Sequence, residues 1–563
     1  MVGSLKSGFG VARLFLRILW NSTMIGIAPL RIRFFTLTDR TPTGLVAAPT
    51  DLHAVDPYIA EELVRGRIAL AGRILETGGV SPFTMDMPSP EFEEALHAFG
   101  WLRHVRASKS EEASVRARIL VSDWMAGHGR RIVGAAWKSE IVAERLIAWL
   151  SHSPVILQTA DAGFYRRFLK SLGFHVRYLS LIAKHAPDGE TRLKTRIALA
   201  MASISLPNRP SRIARHGMKL DKELERQILP DGGHISRNPR IMLDLLLDLL
   251  PLRQSYINLG HDVPPGLVPA IDRMFPAIRF FRHQDGDLAL FNGSTATLAN
   301  ELASVLRYDE TSGRPSRTLP DIGYQRLSVG DTSILVDTGI PSRLELSKGA
   351  HCGCLSFEFS SGRSRFVVNS GYPAFAAPAF QRASRSTAAH STITINDTSS
   401  SRISRSSIFG PIIFPGVTDV TATRETDVKG SDILTASHDG YLKSFGYIHQ
   451  RQIELNADGS KIKGRDLVQA QHDDSKRLSV SDEVVCRFHI HPSIELVSLD
   501  EESVMMRATD GTSWVLAAPG HVLSIADDVF MAHASGVRPS QQIEISCMVT
   551  GSVDIRWLIE RRV

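Results

Sequence analysis

TSGRPSRTLPDIGYQRLSVGDTSILVDTG, Thr311–Gly339, is where the chain changes its period. The first half is crowded with turn formers and reads as a linker. The second half alternates apolar and polar residues on both sides of Gly330-Asp331, as two strands joined by a tight turn would. Upstream, from about 56 to 306, apolar residues recur at intervals of three and four. PYIAEELVRGRIALAGRIL (Pro57–Leu75), SPEFEEALHAFGWLRHV (Ser89–Val105), SEEASVRARILVSDWMAGHG (Ser110–Gly129) and SEIVAERLIAWLSHS (Ser139–Ser153) all read as helices with charged outer faces. Pro57, Ser89-Pro90 and Ser110-Glu111 are suitable helix starts. Further helices are expected at 161–172, 191–205, 216–229, 238–250 and 265–277.

Downstream the alternation continues through CLSFEFSSGRSRFVVNSG (Cys354–Gly371), STITINDTSS (Ser391–Ser400), RQIELNADGSKIKGRDLV (Arg451–Val468) and SVMMRATDGTSWVLAAPG (Ser503–Gly520). The Ala-Asp-Gly and Thr-Asp-Gly turns look like hairpin connections. Many strands with almost no helix predict a large antiparallel sandwich. The expected organisation is an N-terminal extension or docked amphipathic helix over 1–50, a helical domain over 51–310, and a sandwich over 320–563.

With 563 residues, 43% hydrophobic and 22% charged, the chain can bury real cores, which excludes disorder as its main state. The 42 glycines and 28 prolines interrupt helical patterns too often for a long coiled coil. The net charge of +6 is small for this length and gives no reason to expect nucleic acid as a partner. The basic residues are 51 arginines and 14 lysines. Guanidinium pairs bidentately with carboxylate and phosphate, so the bias fits an acidic substrate; a composition habit explains it equally well. Four cysteines cannot staple a chain of this size, and the Cys352-x-Cys354 pair has no second pair to complete a thiolate zinc site.

The opening MVGSLKSGFGVARLFLRILWNSTMIGIAP has apolar residues interrupted by Arg13 and Arg17. That suits neither a signal-peptide core nor a clean spanning helix of roughly 18–20 residues. It is read as an amphipathic helix docked on the protein, with a membrane-surface helix as the second reading. The expectation is a cytoplasmic protein with no transmembrane segment; a periplasmic place and peripheral membrane association are the alternatives.

Three polar groups could carry chemistry. DGGHISRNP (Asp231–Pro239) stands just before a strongly apolar helix and presents His234, Arg237 and Asn238 at its entrance. Orphan amides and polar side chains there suit a bound carboxylate; the plainer reading is a turn that Asn238 caps. RHQDGDLALFNG (Arg282–Gly293) offers His283, Asp285 and Asp287 as cleft or cation residues, or simply a turn around Asp285-Gly286. His351, Asn369 and His390 stand at strand ends, where several histidines can converge on one metal or one catalytic oxygen. SHDGYLKSFGYIHQRQ adds His438, Asp439, Tyr441, Tyr447 and His449, and RFHIHPS adds His489 and His491, two apart and so on one face of a strand. GxSxG and HExxH are absent, so serine hydrolase and zincin readings lose their support.

Taken in order, DGGHISRNP, RHQDGDLALFNG, HCGCLSFEF, FVVNSG, AHSTITIND, HDGY and RFHIHPS resemble the heparinase II/III-like family. The resemblance covers most of the chain beyond about 200. It implies an incomplete α/α toroid followed by an antiparallel β-sandwich, and a polysaccharide lyase acting by β-elimination next to a uronic acid. Such a reaction neutralises the uronate carboxylate, removes the C5 proton and protonates the departing O4. Its partner would be an acidic glycan or a uronate-containing oligosaccharide. The alternative on the same fold is a non-catalytic carbohydrate-binding or envelope-associated protein.

Residue by residue, the resemblance gives His234 and Arg237 as carboxylate contacts, with Arg237 where some lyases carry glutamate. His351 and a tyrosine would handle protons. The family's tyrosine is expected near RHQDGDLALFNG, which contains none, so the role falls to Tyr308 brought in by a shifted loop, with Tyr441 entering from the sandwich side and Tyr256 preceding the segment as the alternatives. Asn238, His283, Tyr441 and His489 would contact substrate. The family's HxH is reduced here to Gly349 and His351, and its aspartate to Asn369. A structural zinc would fall to His351, Asn369 and His390, a set weakened by the uncharged Asn369; no cofactor is required for the reaction.

Overall fold

The computed structural model describes residues 2–35, 41–311, 313, 315–471 and 481–562. The chain forms two compact units that interleave: Met1–Ile228, Asp244–Asp272 and Ala303–Glu310 make the first, and Leu229–Leu243, Arg273–Leu302 and Thr311–Val563 the second. Two segments of the region read as helical domain, including the whole DGGHISRNP loop, therefore belong with the strands.

The first unit is built of helices, among them Pro90–Ala98, Glu111–Gly127, Ser139–Ser151, Ala162–Ile182, Glu190–Ser205 and Pro210–Gln227. Ser89, Ser110 and Asp161 cap three of them, each side chain accepting the backbone N–H three residues on. Their inner faces bury Trp124, Trp149, Phe99 and Phe168 in edge-to-face and tilted contacts at 5.3–6.1 Å. Two readings need correction. Pro57–Leu75 is not one helix: it stops at Val64, and Arg67–Leu70 pairs antiparallel with Arg73–Glu76. Gly66, Ala71 and Gly72 all adopt positive φ, which a helix cannot contain. Ser89–Val105 likewise breaks at Phe99, with φ of 61°.

N-terminal helices Val2–Gly26 and Ala28–Phe35 belong to the same unit. Leu14, Ala28 and Ile32 are buried, and Arg17 pairs with Asp188 at 3.2 Å. Phe15, Leu16, Leu19 and Trp20 remain exposed, from 40% to 64%. Among the described residues one stretch, Gly10–Ile32, is long and apolar enough to cross a membrane by length and composition, with a mean hydropathy of 1.2.

The second unit is a sandwich of two antiparallel sheets, one of eight strands and one of nine. The alternation read at Thr311–Gly339 is the hairpin Tyr324–Val329 with Thr332–Asp337, and the next one is Phe357–Ser361 with Ser364–Val368. Their inward residues form a single core with those of the other sheet: Phe357 stacks on Trp557 at 5.5 Å and Phe359 meets Trp514 at 4.9 Å. Both Asp-Gly hairpins form as read. All four cysteines are free.

Candidate active site

The DGGHISRNP loop is shaped by backbone demands. Gly232 has φ of 83°, and a Cβ there would collide with the carbonyl of Arg273. His234 is fully buried, with Nδ1 2.7 Å from Ser236 Oγ and accepting the Ser236 N–H at 3.2 Å, so the ring braces its own turn. Arg237 takes a left-handed φ of 64°, unusual for a side chain of its size. Surrounding bonds hold it there. Nε donates to the Ile322 carbonyl at 2.7 Å, Nη1 to Ile340 at 3.2 Å, and Nη2 forms an ion pair with Asp337. The guanidinium also lies 5.0 Å over the Tyr324 ring. Burial opposes its charge, and Asp337 more than restores it, holding Arg237 above its ordinary pKa. Gly339 is required beside it, since a Cβ would strike the guanidinium. Arg237, expected at the substrate carboxylate, thus has its donors engaged inside the sandwich unit.

Asn238 caps helix Pro239–Asn258: its Oδ1 accepts the Arg240 N–H at 2.8 Å. That assigns Nδ2 to the other side, where it adjoins Gly293; a Cβ on Gly293 would come within 3.2 Å of it and within 2.6 Å of the Gly349 carbonyl. Nδ2 has no hydrogen-bond partner among the described residues. Asn238, Gly293 and Gly349 therefore meet, two residues before His351.

His351 is 4% exposed. Its Nδ1 lies 3.0 Å from His390 Nε2, and His390 Nδ1 lies 2.7 Å from the Ser386 carbonyl. A carbonyl only accepts, so His390 carries its proton on Nδ1 and offers a lone pair at Nε2. His351 then donates from Nδ1, which leaves Nε2 as a bare lone pair, buried and without a partner among the described residues. Burial, then His390 and Arg385, push the His351 pKa well down, and burial brings His390 to about 4. Both are neutral imidazoles. The Tyr372 ring stands beside His351 at 6.2 Å.

Sequence reasoning missed the residues that tie these groups together. Asn292 accepts the His351 N–H at 3.2 Å while its Nδ2 donates to Asp337 at 3.1 Å and to Tyr324 Oη at 2.6 Å. One polar chain thus runs from Arg237 through Asp337 and Asn292 to His351 and His390. A second runs through Glu358, which accepts from Leu290 N at 3.0 Å and Asn369 N at 3.1 Å and holds His283 Nε2 at 2.9 Å. Glu358 and Asp337 sit at the alternate positions of their strands, where a polar residue is ordinary, and only the burial of both strand faces sets them apart. The alternation therefore carried no signal for them.

The remaining predicted residues lie elsewhere or face inward. His283 is enclosed between Glu358 and Ser360, while Asp285 and Asp287 pair with Arg365 around the Gly286 turn. Tyr441 is buried and donates to the Ile393 carbonyl at 2.8 Å. His489 is buried with Nδ1 2.7 Å from Asp528, its Nε2 lacking a hydrogen-bond partner among the described residues; His491 falls just past the strand end. Tyr308 belongs to the first unit, past helix Ala299–Leu306, and Tyr256 is buried in that unit. Asn369 Oδ1 accepts the Ser391 N–H at 3.0 Å and its amide nitrogen faces Glu358. Two histidines already bonded to each other and an asparagine oxygen already bonded to an amide supply no charged donor. This set does not fit a tightly held zinc ion, and no cluster of three acidic, histidine or cysteine ligands occurs among the described residues.

The family model described as heparinase II/III-like, C-terminal, matches residues 311–558. Over 536 residues the chain is 30% identical to the FtsZ-localized protein C of Caulobacter vibrioides, covering 92% of this chain and 91% of that relative. Heparinase III superposes with a TM-score of 0.71 at 14% identity, over 96% of this chain and 89% of that one. Heparan sulfate lyase HepC from Pedobacter heparinus gives 0.59 at 16% identity, over 96% and 88%. At such identities the likeness establishes the fold, a helical toroid followed by an antiparallel β-sandwich, as the sequence pattern implied. The chain belongs to the heparinase II/III-like family.

Proposed function

We propose that the protein is a lyase that cleaves a uronate-containing glycan by β-elimination. The observation that carries this reading is the bare Nε2 lone pair of His351, fixed by the His390–Ser386 relay. An unprotonated imidazole nitrogen has the lone pair a general base needs, and a uronate carboxylate beside it would favour the imidazolium that burial disfavours. In this reading His351 takes the C5 proton, the C4–O4 bond breaks as the C4–C5 double bond forms, and the departing O4 takes a proton from Tyr372. The Asn238 amide, not Arg237, donates to the uronate carboxylate as it gains enolate character. Incubation with uronate oligosaccharides, followed by absorbance of the unsaturated product, tests it. The parent should form product and His351→Ala should lose at least about 100-fold; no product across heparan, chondroitin, alginate and glucuronan oligosaccharides overturns it.

A second reading is favoured by the exposed Phe15, Leu16, Leu19 and Trp20 on the N-terminal helix and by the full-length relative named for its localisation with FtsZ. It makes the protein an envelope-associated member of the family, held at a membrane surface and binding glycan without cleaving it. Glycan binding without product formation would favour it.

A further inference from the structure

The helical unit contains a recess of about 220 Å³ that the lyase reading does not use. Its walls come from the segment at Asp51–His53 and from helices Ser139–Ser151, Glu190–Ser205 and Pro239–Asn258, all within the first unit where they line it. Asp51 is neutralised in place: Arg103 Nε lies 3.2 Å away, His152 Nε2 3.1 Å and His53 Nδ1 2.7 Å. Lys194 is shared between two carboxylates, Glu190 at 3.0 Å and Glu144 at 3.5 Å.

Asp248 differs from these. It is 7% exposed, lines the recess, and makes no hydrogen bond or ion pair among the described residues. Desolvation raises its pKa and Asp51 adds to the rise, while the charges of His53, Lys194 and Arg103 oppose it. Among the residues lining the recess, Asp51, Glu144 and Asp248 face Arg103 and Lys194, three carboxylates against two cations. The wall thus holds one carboxylate more than its arginine and lysine answer, and Asp248 is the one without an ion pair among the described residues. Carboxylates removed from water without a counter-charge are costly, so the arrangement is incomplete without a cation or a proton. The volume is far larger than a metal ion needs, and Met201, Leu247 and Pro251 supply apolar wall for a carbon skeleton.

We propose that this recess is a binding site for a small organic cation, a primary ammonium on an aliphatic or sugar-sized skeleton, whose nitrogen pairs with Asp248. The site is independent of the β-elimination reading and stands or falls separately from it.

Titration calorimetry and thermal unfolding of the full chain test it with putrescine and glucosamine as probes. The neutral counterparts 1,4-butanediol and glucose serve as controls. Putrescine or glucosamine should bind and raise the melting temperature, the neutral probes should do neither, and Asp248→Asn should weaken ammonium binding at least tenfold. Should Asp248→Asn fail to fold, Glu144→Gln is read in its place, with a smaller loss expected. Equal binding of charged and neutral probes, unchanged affinity in the variant, or no binding by either amine overturns the proposal.

Discussion

His351 Nδ1 and His390 Nε2 lie 3.0 Å apart, and the Ser386 carbonyl behind His390 gives that contact a direction. The proton sits on His351 Nδ1 because the chain of donors begins at an atom that can only accept. His390 is therefore a positioning residue, and its effect is readable apart from activity. Long-range nitrogen–proton NMR correlations should show His351 as the Nδ1–H tautomer in the parent. In His390→Leu the His351 tautomers should mix, and product formation should fall by about 10- to 100-fold with little change in KM. An Nε2–H tautomer in the parent would contradict the assignment.

Arg237 and Asn238 are neighbours with separable roles. Arg237→Met removes the partner of a buried carboxylate, so denaturant unfolding should show a loss of about 3–5 kcal/mol. Arg237→Met with Asp337→Asn should recover part of it. Asn238→Asp keeps the oxygen that caps helix Pro239–Asn258 and replaces the Nδ2 donor with negative charge. Its stability should change by less than about 1 kcal/mol, the usual scale of a cap, while binding of a uronate glycan weakens through repulsion. Unchanged glycan affinity in Asn238→Asp would remove Asn238 from the proposed site.

The change of period at Thr311–Gly339 exposed the architecture because strand alternation and helical spacing are local signals. Breaks inside the helical half were harder to read: at Ala71-Gly72 and Phe99-Gly100 the apolar spacing continues while the backbone turns left-handed. The site was legible as motifs but not as roles. DGGHISRNP does contain Asn238 and a ring-braced turn, yet nothing in those nine residues says that Arg237 will meet Asp337, 100 positions later. Long-range pairing of buried charges depends on which strands become neighbours, and so Asp337, Asn292 and Glu358 went unnoticed while His283 and Tyr441 looked available. Tyr372 was missed for the same reason: it follows FVVNSG and reaches His351 only through the fold.

The buried His390 also sets a pH dependence. Burial lowers it to about 4 from the ordinary 6.5 of a free imidazole. As pH falls between these values the unfolded chain binds a proton that the native protein refuses, so stability is lost on acidification and levels off below about pH 4. The size is about 3 kcal/mol for this group. Urea unfolding of the parent and of His390→Gln, compared at neutral pH and near pH 4, should show the parent losing about that much more than the variant. Parallel losses in the two proteins would mean that His390 is not held neutral.

The N-terminal helices offer the remaining test, bearing on where the protein works. Leu14, Ala28 and Ile32 are buried, whereas Phe15, Leu16, Leu19 and Trp20 lie at i, i+1, i+4 and i+5, one stripe of a helix facing outward. No Asp or Glu occurs among residues 1–35, and Arg13 is exposed on the same helix as this stripe. Aromatic and leucine side chains flanked by arginine suit the interface of an anionic bilayer. The full chain should sediment with vesicles containing phosphatidylglycerol and much less with neutral phosphatidylcholine vesicles, and added salt should weaken the difference. Leu16→Glu with Trp20→Glu should abolish sedimentation while leaving the melting temperature near that of the parent, because neither side chain is packed. Equal binding to both kinds of vesicle, or binding that survives the double substitution, would argue that the stripe meets something other than an anionic membrane.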